Sequence, residues 1–277
     1  MASLITNTAS MTALQTLKTV QGNLTETQSR VSTGLKVQSA KDNSAYYSIA
    51  QTMRGDSAAF SALSENLSIA GSSVSIARKG TEAIGDLTKQ ILEKVSLAQA
   101  NESVDKALIQ KDIEDLIGQI ETTIAQSTYS GQSLLDSADA VTVVTGVTRE
   151  GGTFATTNFT FDKFDSADFV TQLKTVDVSA ATDAAALDGL MTTVEGERAK
   201  VTAAEANFGM AEKRIENQQK FIGNLVDKFD QSVGALVDAD MNKEAARLSA
   251  LQVQEQLATQ ALSIANQAPQ SILSLFR

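Results

Sequence analysis

Leu17, Val20, Leu24, Thr27 and Val31 recur at alternating spacings of three and four residues, and near the other end of the chain Leu248, Leu251, Glu255, Ala258, Leu262 and Ala265 repeat the rhythm. That spacing puts each set on one stripe of an amphipathic helix, the seam of a coiled coil. Two matching seams predict that the chain ends pair as helices, with Glu255 the one charged interruption.

The distribution of charge points the same way. No charged side chain occurs from Met1 to Leu17 or from Gln256 to Phe276. Termini are normally polar and frayed, so two long neutral ends suggest surfaces that become buried. Neither is a membrane span: Gln, Asn, Ser and Thr interrupt both, and no run of about 18 apolar residues occurs. The N-terminus also lacks the basic region, apolar stretch and small-residue cleavage site of a secretory signal. Between Ser130 and Lys200, by contrast, 11 acids stand against five bases, so the middle holds −6 of the net −10 and reads as a solvated face.

Between the ends the pattern is helical, then briefly extended, then helical again. Gly34 closes the first helix, where a left-handed residue costs least. Asp42, Asn43 and Ser44 offer cap oxygens for a second helix running without Pro to about Gln99. Gly71, Gly80 and Gly85 within it suggest close helix packing. Asn101-Glu102-Ser103 reads as a turn, and Val104 to Ser127 as a third helix with Leu108, Ile109, Ile113, Leu116, Ile117, Ile120 and Ile124 on its apolar side. Val141 to Thr145 and Phe154 to Phe161 are β-branched or aromatic runs, joined across Arg149-Glu150-Gly151-Gly152 as a hairpin. Helix returns from about Ala184 to Phe276, interrupted near Asp238-Ala239-Asp240. The fold class expected is mainly α, an elongated antiparallel bundle and coiled coil of N- and C-terminal helices with a small central β-hairpin region.

Composition removes most enzyme chemistry. Among 277 residues there is no Cys, His or Trp, so a Ser-His-Asp triad, a thiol nucleophile, an ordinary zinc site and a disulfide framework are all excluded. Gly146 with Gly151-Gly152 lacks the Lys-Ser/Thr partner of a phosphate loop. Asp162, Asp165 and Asp168 do not keep the ligand spacing of a calcium loop. We expect no enzyme activity, no cofactor and no metal. A pI near 4.6 argues against nucleic acid or an anionic membrane as the main partner. Tyr46 and Tyr47, early in the second helix, read as packing residues or an exposed recognition pair.

Arg30-Val31-Ser32-Thr33-Gly34-Leu35-Lys36-Val37-Gln38-Ser39-Ala40-Lys41-Asp42-Asn43 resembles the N-terminal signature of bacterial flagellins, with its S-T-G-x-R-I-N-S-A-K-D-D core. Three further stretches agree: Ile5-Thr6-Asn7-Thr8 with Ala13-Leu14 and Leu17, Tyr129 to Leu135, and Ala265 to Leu275. The resemblance covers roughly residues 1 to 135 and 190 to 277. Mild departures are Ile5-Thr6-Asn7-Thr8 for I-N-T-N, Lys36 for a usual Arg, and Met241 where an aromatic often follows.

The resemblance implies a short flagellin, a structural subunit that self-assembles with other flagellin subunits into the extracellular bacterial flagellar filament for swimming. It implies type III export through the flagellum, with the export apparatus, an export chaperone, and hook-associated junction and cap proteins as partners. Other readings of the same scaffold are a hook-associated junction protein or a surface adhesin. By domain it implies an inner-tube helix and connector over 1–43, a helical core over 44–135 and 186–237, a central acidic insertion on the outer surface over 136–185, and a second inner-tube helix over 238–277. The self-assembly residues expected are Leu14, Leu17, Val20, Leu24, Val31, Leu248, Leu251, Ala258, Leu262 and Ala265; the connector motif is Ser32, Thr33, Gly34, Ser39, Ala40, Lys41 and Asp42. In many flagellins a segment resembling Q-R-V-R-E-L-A-V-Q is read by a vertebrate Toll-like receptor. Here Gln90, Ile91, Leu92 and Glu93 fall in that segment, with Ile91 or Leu92 in place of an Arg, so the resemblance implies weak recognition by a host immune receptor.

Overall fold

The structure, a computed structural model, describes residues 7–100, 105–150 and 153–275. Along it run α1 (Thr8–Thr33), α2 (Ser44–Ala100), α3 (Lys106–Gln126), β1 (Thr128–Tyr129), β2 (Gln132–Ser133), β3 (Ala140–Glu150), β4 (Thr153–Asp162), α4 (Ser166–Lys174), α5 (Ala184–Val237) and α6 (Met241–Leu275). The expected class holds: helices dominate, and the strands form two small antiparallel pairs in the central region. The chain divides into two compact units, Met1–Asp56 with Lys228–Arg277, and Ser57–Asp227.

Local chemistry explains where the helices stop and start. The Asn7 carboxamide accepts from the Ser10 N–H at the head of α1, and Gly34 closes it at φ 74°. Asn43 accepts from the Tyr46 N–H at 3.0 Å and so caps α2. The turn expected at Asn101-Glu102-Ser103 lies outside the described residues. α3 starts at Lys106, where the Asp105 carboxylate accepts from the Ala107 and Leu108 N–H groups; Val104, the expected start, lies outside the described residues. Leu108 corrects the expected apolar side: it is 61% exposed, while Ile109, Ile113, Leu116, Ile117 and Ile120 are buried. One residue is about 100° around a helix, enough to turn Leu108 out of that stripe.

The unit Ser57–Asp227 is built on one continuous core. α2 contributes Leu67, Val74, Ile84 and Ile91, α3 its buried isoleucines, and α5 Val194, Val201, Phe208, Ile215 and Ile222. The glycines of α2 let these helices approach. A Cβ on Gly71 would lie 3.3 Å from Ile215, and one on Gly80 would lie 2.8 Å from the Ser127 Cβ. β3 and β4 pair antiparallel with Val143 opposite Phe159 and a register shift between Val144 and Gly146. A lone hairpin is marginal in water. This one is held because Val143 and Phe159 are buried, Phe161 meets Phe208 edge-on at 6.2 Å, and Arg214 lies 4.4 Å over the Phe159 ring.

Three elements, β1, β2 and α4, go beyond the sequence expectation. β1 and β2 form a tight turn with Ser130 and Gly131 both at positive φ, the pattern of a two-residue hairpin. α4 lies in the acidic stretch expected to hold only a hairpin. The Asp165 carboxylate caps it, Phe169 and Leu173 enter the core one turn apart, and the Ser166 hydroxyl donates to the Leu135 carbonyl.

Candidate assembly surface

In the unit formed by the chain ends, α1 packs against α6. Asn7 Nδ2 donates to the Ala265 carbonyl at 2.7 Å, Gln21 Nε2 to Glu255 Oε1 at 3.2 Å, and Arg30 faces Glu244 at 3.7 Å. As one number rises the other falls, so the two helices run antiparallel. Val20, Thr27 and Leu251 are buried between them, and Leu17, Leu24, Val31, Leu248, Ala258, Leu262 and Ala265 are half-buried. Of the residues expected to serve self-assembly, all but Leu14 thus line the seam by which one chain pairs its own ends. Leu14 stands outside, 44% exposed. Glu255 interrupts the seam at little cost because it meets Gln21.

A second apolar stripe remains uncovered. On α6, Val253, Leu257 and Ile264 are 55%, 59% and 69% exposed. At 100° per residue these three fall within about 40° of one another and on the side away from the seam. Met11 and Leu14 add to the exposed apolar surface on α1. A helix apolar on two opposite faces is suited to burial on both. The signal is present in the sequence as steps of four and seven from Val253 through Leu257 to Ile264, offset from the seam positions.

The connector motif sits where α1 ends and α6 begins. Lys36 and Val37 N–H groups donate to the Val237 carbonyl at 2.7 and 3.3 Å, the Ala239 N–H donates to the Gly34 carbonyl at 2.8 Å, and Leu35 forms an antiparallel bridge with Asp238. Val37, Ala50, Val233 and Val237 make a small core beneath, with Tyr47 packed against it and Tyr46 exposed. Lys36 Nζ donates to the Ala235 carbonyl at 3.0 Å, in the last turn of α5, where a cation is favoured. Asp42 accepts from the N–H groups of Ser39 and Gln38, and these bonds hold its carboxyl below the usual carboxylate range. Thr33 accepts from Gln38 Nε2 at 2.7 Å; Ser32, Ala40 and Lys41 are exposed. Arg30 also bonds Glu26 at 2.5 Å, and Glu244 is buried with its second oxygen unpaired. Asp240 caps α6 through the N–H groups of Asn242 and Lys243, and Met241 is exposed.

The segment expected to meet an immune receptor is divided. Gln90 and Glu93 are exposed, Leu92 is half-buried, and Ile91 is wholly buried in the core of the second unit. Packing within its own unit accounts for the apolar character of Ile91. Of the acidic trio, Asp165 is the α4 cap and Asp168 pairs with Lys200 at 3.1 Å. No helix among the described residues is long and apolar enough to cross a membrane.

Comparison with known proteins agrees along the whole chain. The family described as bacterial flagellin N-terminal helical region matches residues 4–140, and bacterial flagellin C-terminal helical region matches residues 191–276. The chain is 39% identical to the flagellin of Brucella melitensis and 33% identical to flagellin C of Rhizobium meliloti, each alignment spanning both partners in full. A solved Vibrio parahaemolyticus chain described as flagellar and hook-associated aligns with a TM-score of 0.51 at 11% identity, over 71% of this chain and 100% of that one. That last likeness is one of fold.

Proposed function

The chain belongs to the bacterial flagellin family, and on that footing we propose that it is a structural subunit of the flagellar filament, self-assembling with further copies outside the cell for swimming. The observation that carries this reading is the uncovered stripe Val253, Leu257 and Ile264 on a helix whose other face is already used. Fully burying such a side chain is worth about 1.5–3 kcal/mol, and only neighbouring copies would supply the cover. Ordering of the ends and assembly would then be one event. The seam residues serve assembly indirectly, by pairing α1 with α6 so that the outer stripe is presented.

The finer parts of the reading follow from the family. A chain without Cys carries no disulfide to lock it before export, consistent with a type III route involving an export apparatus and chaperone, and with junction and cap proteins at the filament ends. The acidic insertion is assigned to the outer surface of the filament, because its net charge of −6 between Ser130 and Lys200 suits contact with water. Host recognition through Gln90 to Glu93 is weak, because Ile91 is buried and Leu92 supplies no guanidinium fork.

Electron microscopy of purified protein after seeding tests the central claim. The full chain should yield long filaments, and Ile264→Asp should yield none while the monomer keeps its helix content. A chain lacking Gln256 to Arg277 that still grows long filaments would sink the proposal.

A further inference from the structure

Within the unit Ser57–Asp227 an open groove of about 680 Å³ runs between α2 and the strands. Ile69 and Ala62 of α2, Tyr129 of β1, and Val141, Val144 and Val147 of β3 line it, and among the described side chains none that lines it is charged. Ile69 and Val144 remain 49% and 39% exposed, unusual for an apolar trough. On α5, Met210 and Phe221 are 60% and 59% exposed. They are 11 residues apart, three turns plus about 20°, so they form one ridge roughly 16 Å long. The groove follows α2 from Ala59 to Val74, roughly 22 Å, and would take that ridge lengthwise. Ridge and groove share no residue.

We infer that the groove between α2 and β3 receives the Met210–Phe221 ridge of α5 from a second copy of this chain. Charge favours that occupant. Glu65, Asp139 and Asp162, all exposed, adjoin the groove-lining segments in sequence. Lys213 and Lys220 flank the ridge with side chains 65% and 67% exposed, sharing the one carboxylate of Glu216. An acidic rim thus meets a basic flank, the arrangement that fixes register between partners. Because the two surfaces differ, each copy keeps a free groove and a free ridge after pairing. Such a head-to-tail contact propagates into an open helical polymer instead of closing as a dimer. The inference rests on the filament reading and adds to it a contact made outside the paired ends.

The absence of native cysteine makes the test clean. Four chains are made, each with one ridge substitution (M210C or F221C) and one groove substitution (I69C or V144C), polymerised and treated with a short bis-maleimide. At least one combination should run as a ladder of covalent oligomers on a denaturing gel, and the same chain treated as monomer should run as a single band. If a double variant polymerises poorly, copolymers with an equal amount of unmodified chain give the same readout as a dimer band. Filaments or copolymers that form without cross-linked species in any combination overturn the groove-and-ridge contact while leaving the filament reading intact. Failure of the unmodified chain to polymerise would instead remove the reading on which it rests.

Discussion

In residues 57–227 the long helices share one continuous core, in which Phe208, Ile84, Ile113 and Ile120 have no exposed surface, and apolar residues such as Ile69, Met210 and Phe221 lie outside it. In the unit made of the chain ends, α6 has apolar residues on two sides and the fold covers only one. Helices draw most of their stability from packing, so the first unit carries its own and the second is only partly provided for. The ends also lack the charged outer face that would make half-burial comfortable in water, since nothing from Gln256 to Leu275 is charged. One chain thus combines a unit that has a full core of its own with a unit that does not, and the second is where the polymer is expected to supply most of the missing cover.

The hardest blow to this contrast would come from core truncations. Phe208→Ala should cost about 3–5 kcal/mol in the main urea transition of the monomer. Leu251→Ala, at the seam of the ends, should leave that transition in place; an equal shift would mean the two units unfold as one. A smaller effect is expected at the joint. Arg30→Ala strips the buried Glu244 of its cation and should loosen α1 against α6 by about 2 kcal/mol, read as faster amide exchange in those helices with no change in α3.

Glycines sharpen the contrast further. Gly80→Ala would press on Ser127 and Leu135 and should lose about 1–2 kcal/mol after the gain in helix propensity is subtracted. Gly22→Ala in α1 meets nothing within 4 Å and should raise the helicity of the ends, worth about 1 kcal/mol. The smallest effect concerns acid. Glu216, between Lys220 and Lys213, has its pKa lowered from 4.5 to about 2. A carboxyl depressed in the folded state contributes stability that is present above the unfolded value and lost as pH falls toward the folded one. Glu216→Gln should therefore flatten the acid limb of thermal stability slightly between about pH 4.5 and 2, with no effect at neutral pH beyond the loss of that small contribution.

Much of this was legible in the residues. The alternation of three and four at both ends places the seam, Gly34 the end of α1, the run Asp42-Asn43-Ser44 the start of α2, and the β-branched and aromatic runs the two long strands. β3, however, continues through Arg149 and Glu150, expected in the joint, because they pair with Phe154 and Thr153, and Gly151-Gly152 lies outside the described residues. What escaped depended on tertiary partners. α4 is one short helix in an acidic run, recognisable only from the Asp165 cap and the one-turn spacing of Phe169 and Leu173. Leu108 has the right residue type at the wrong angle. The bonds from Lys36 and Val37 to Val237 leave no periodic trace, because they join backbone to backbone across distant parts of the chain. The second stripe on α6 was visible in principle, yet periodicity reports that a face is apolar and says nothing of how many partners cover it.

The bridge between Leu35 and Asp238 joins positions some 200 residues apart in sequence. Once it is made, α1 and α6 meet as two arms rooted at one point, and the entropy of closing that long loop has already been spent, a difference of about 3 kcal/mol against pairing free ends. Their pairing becomes a zipper that starts at Arg30 and Glu244, passes Gln21 and Glu255, and reaches Asn7 and Ala265 last. The tips are then the final segments to order and the first to open, so the order of events in building or shedding a subunit runs from the joint outward.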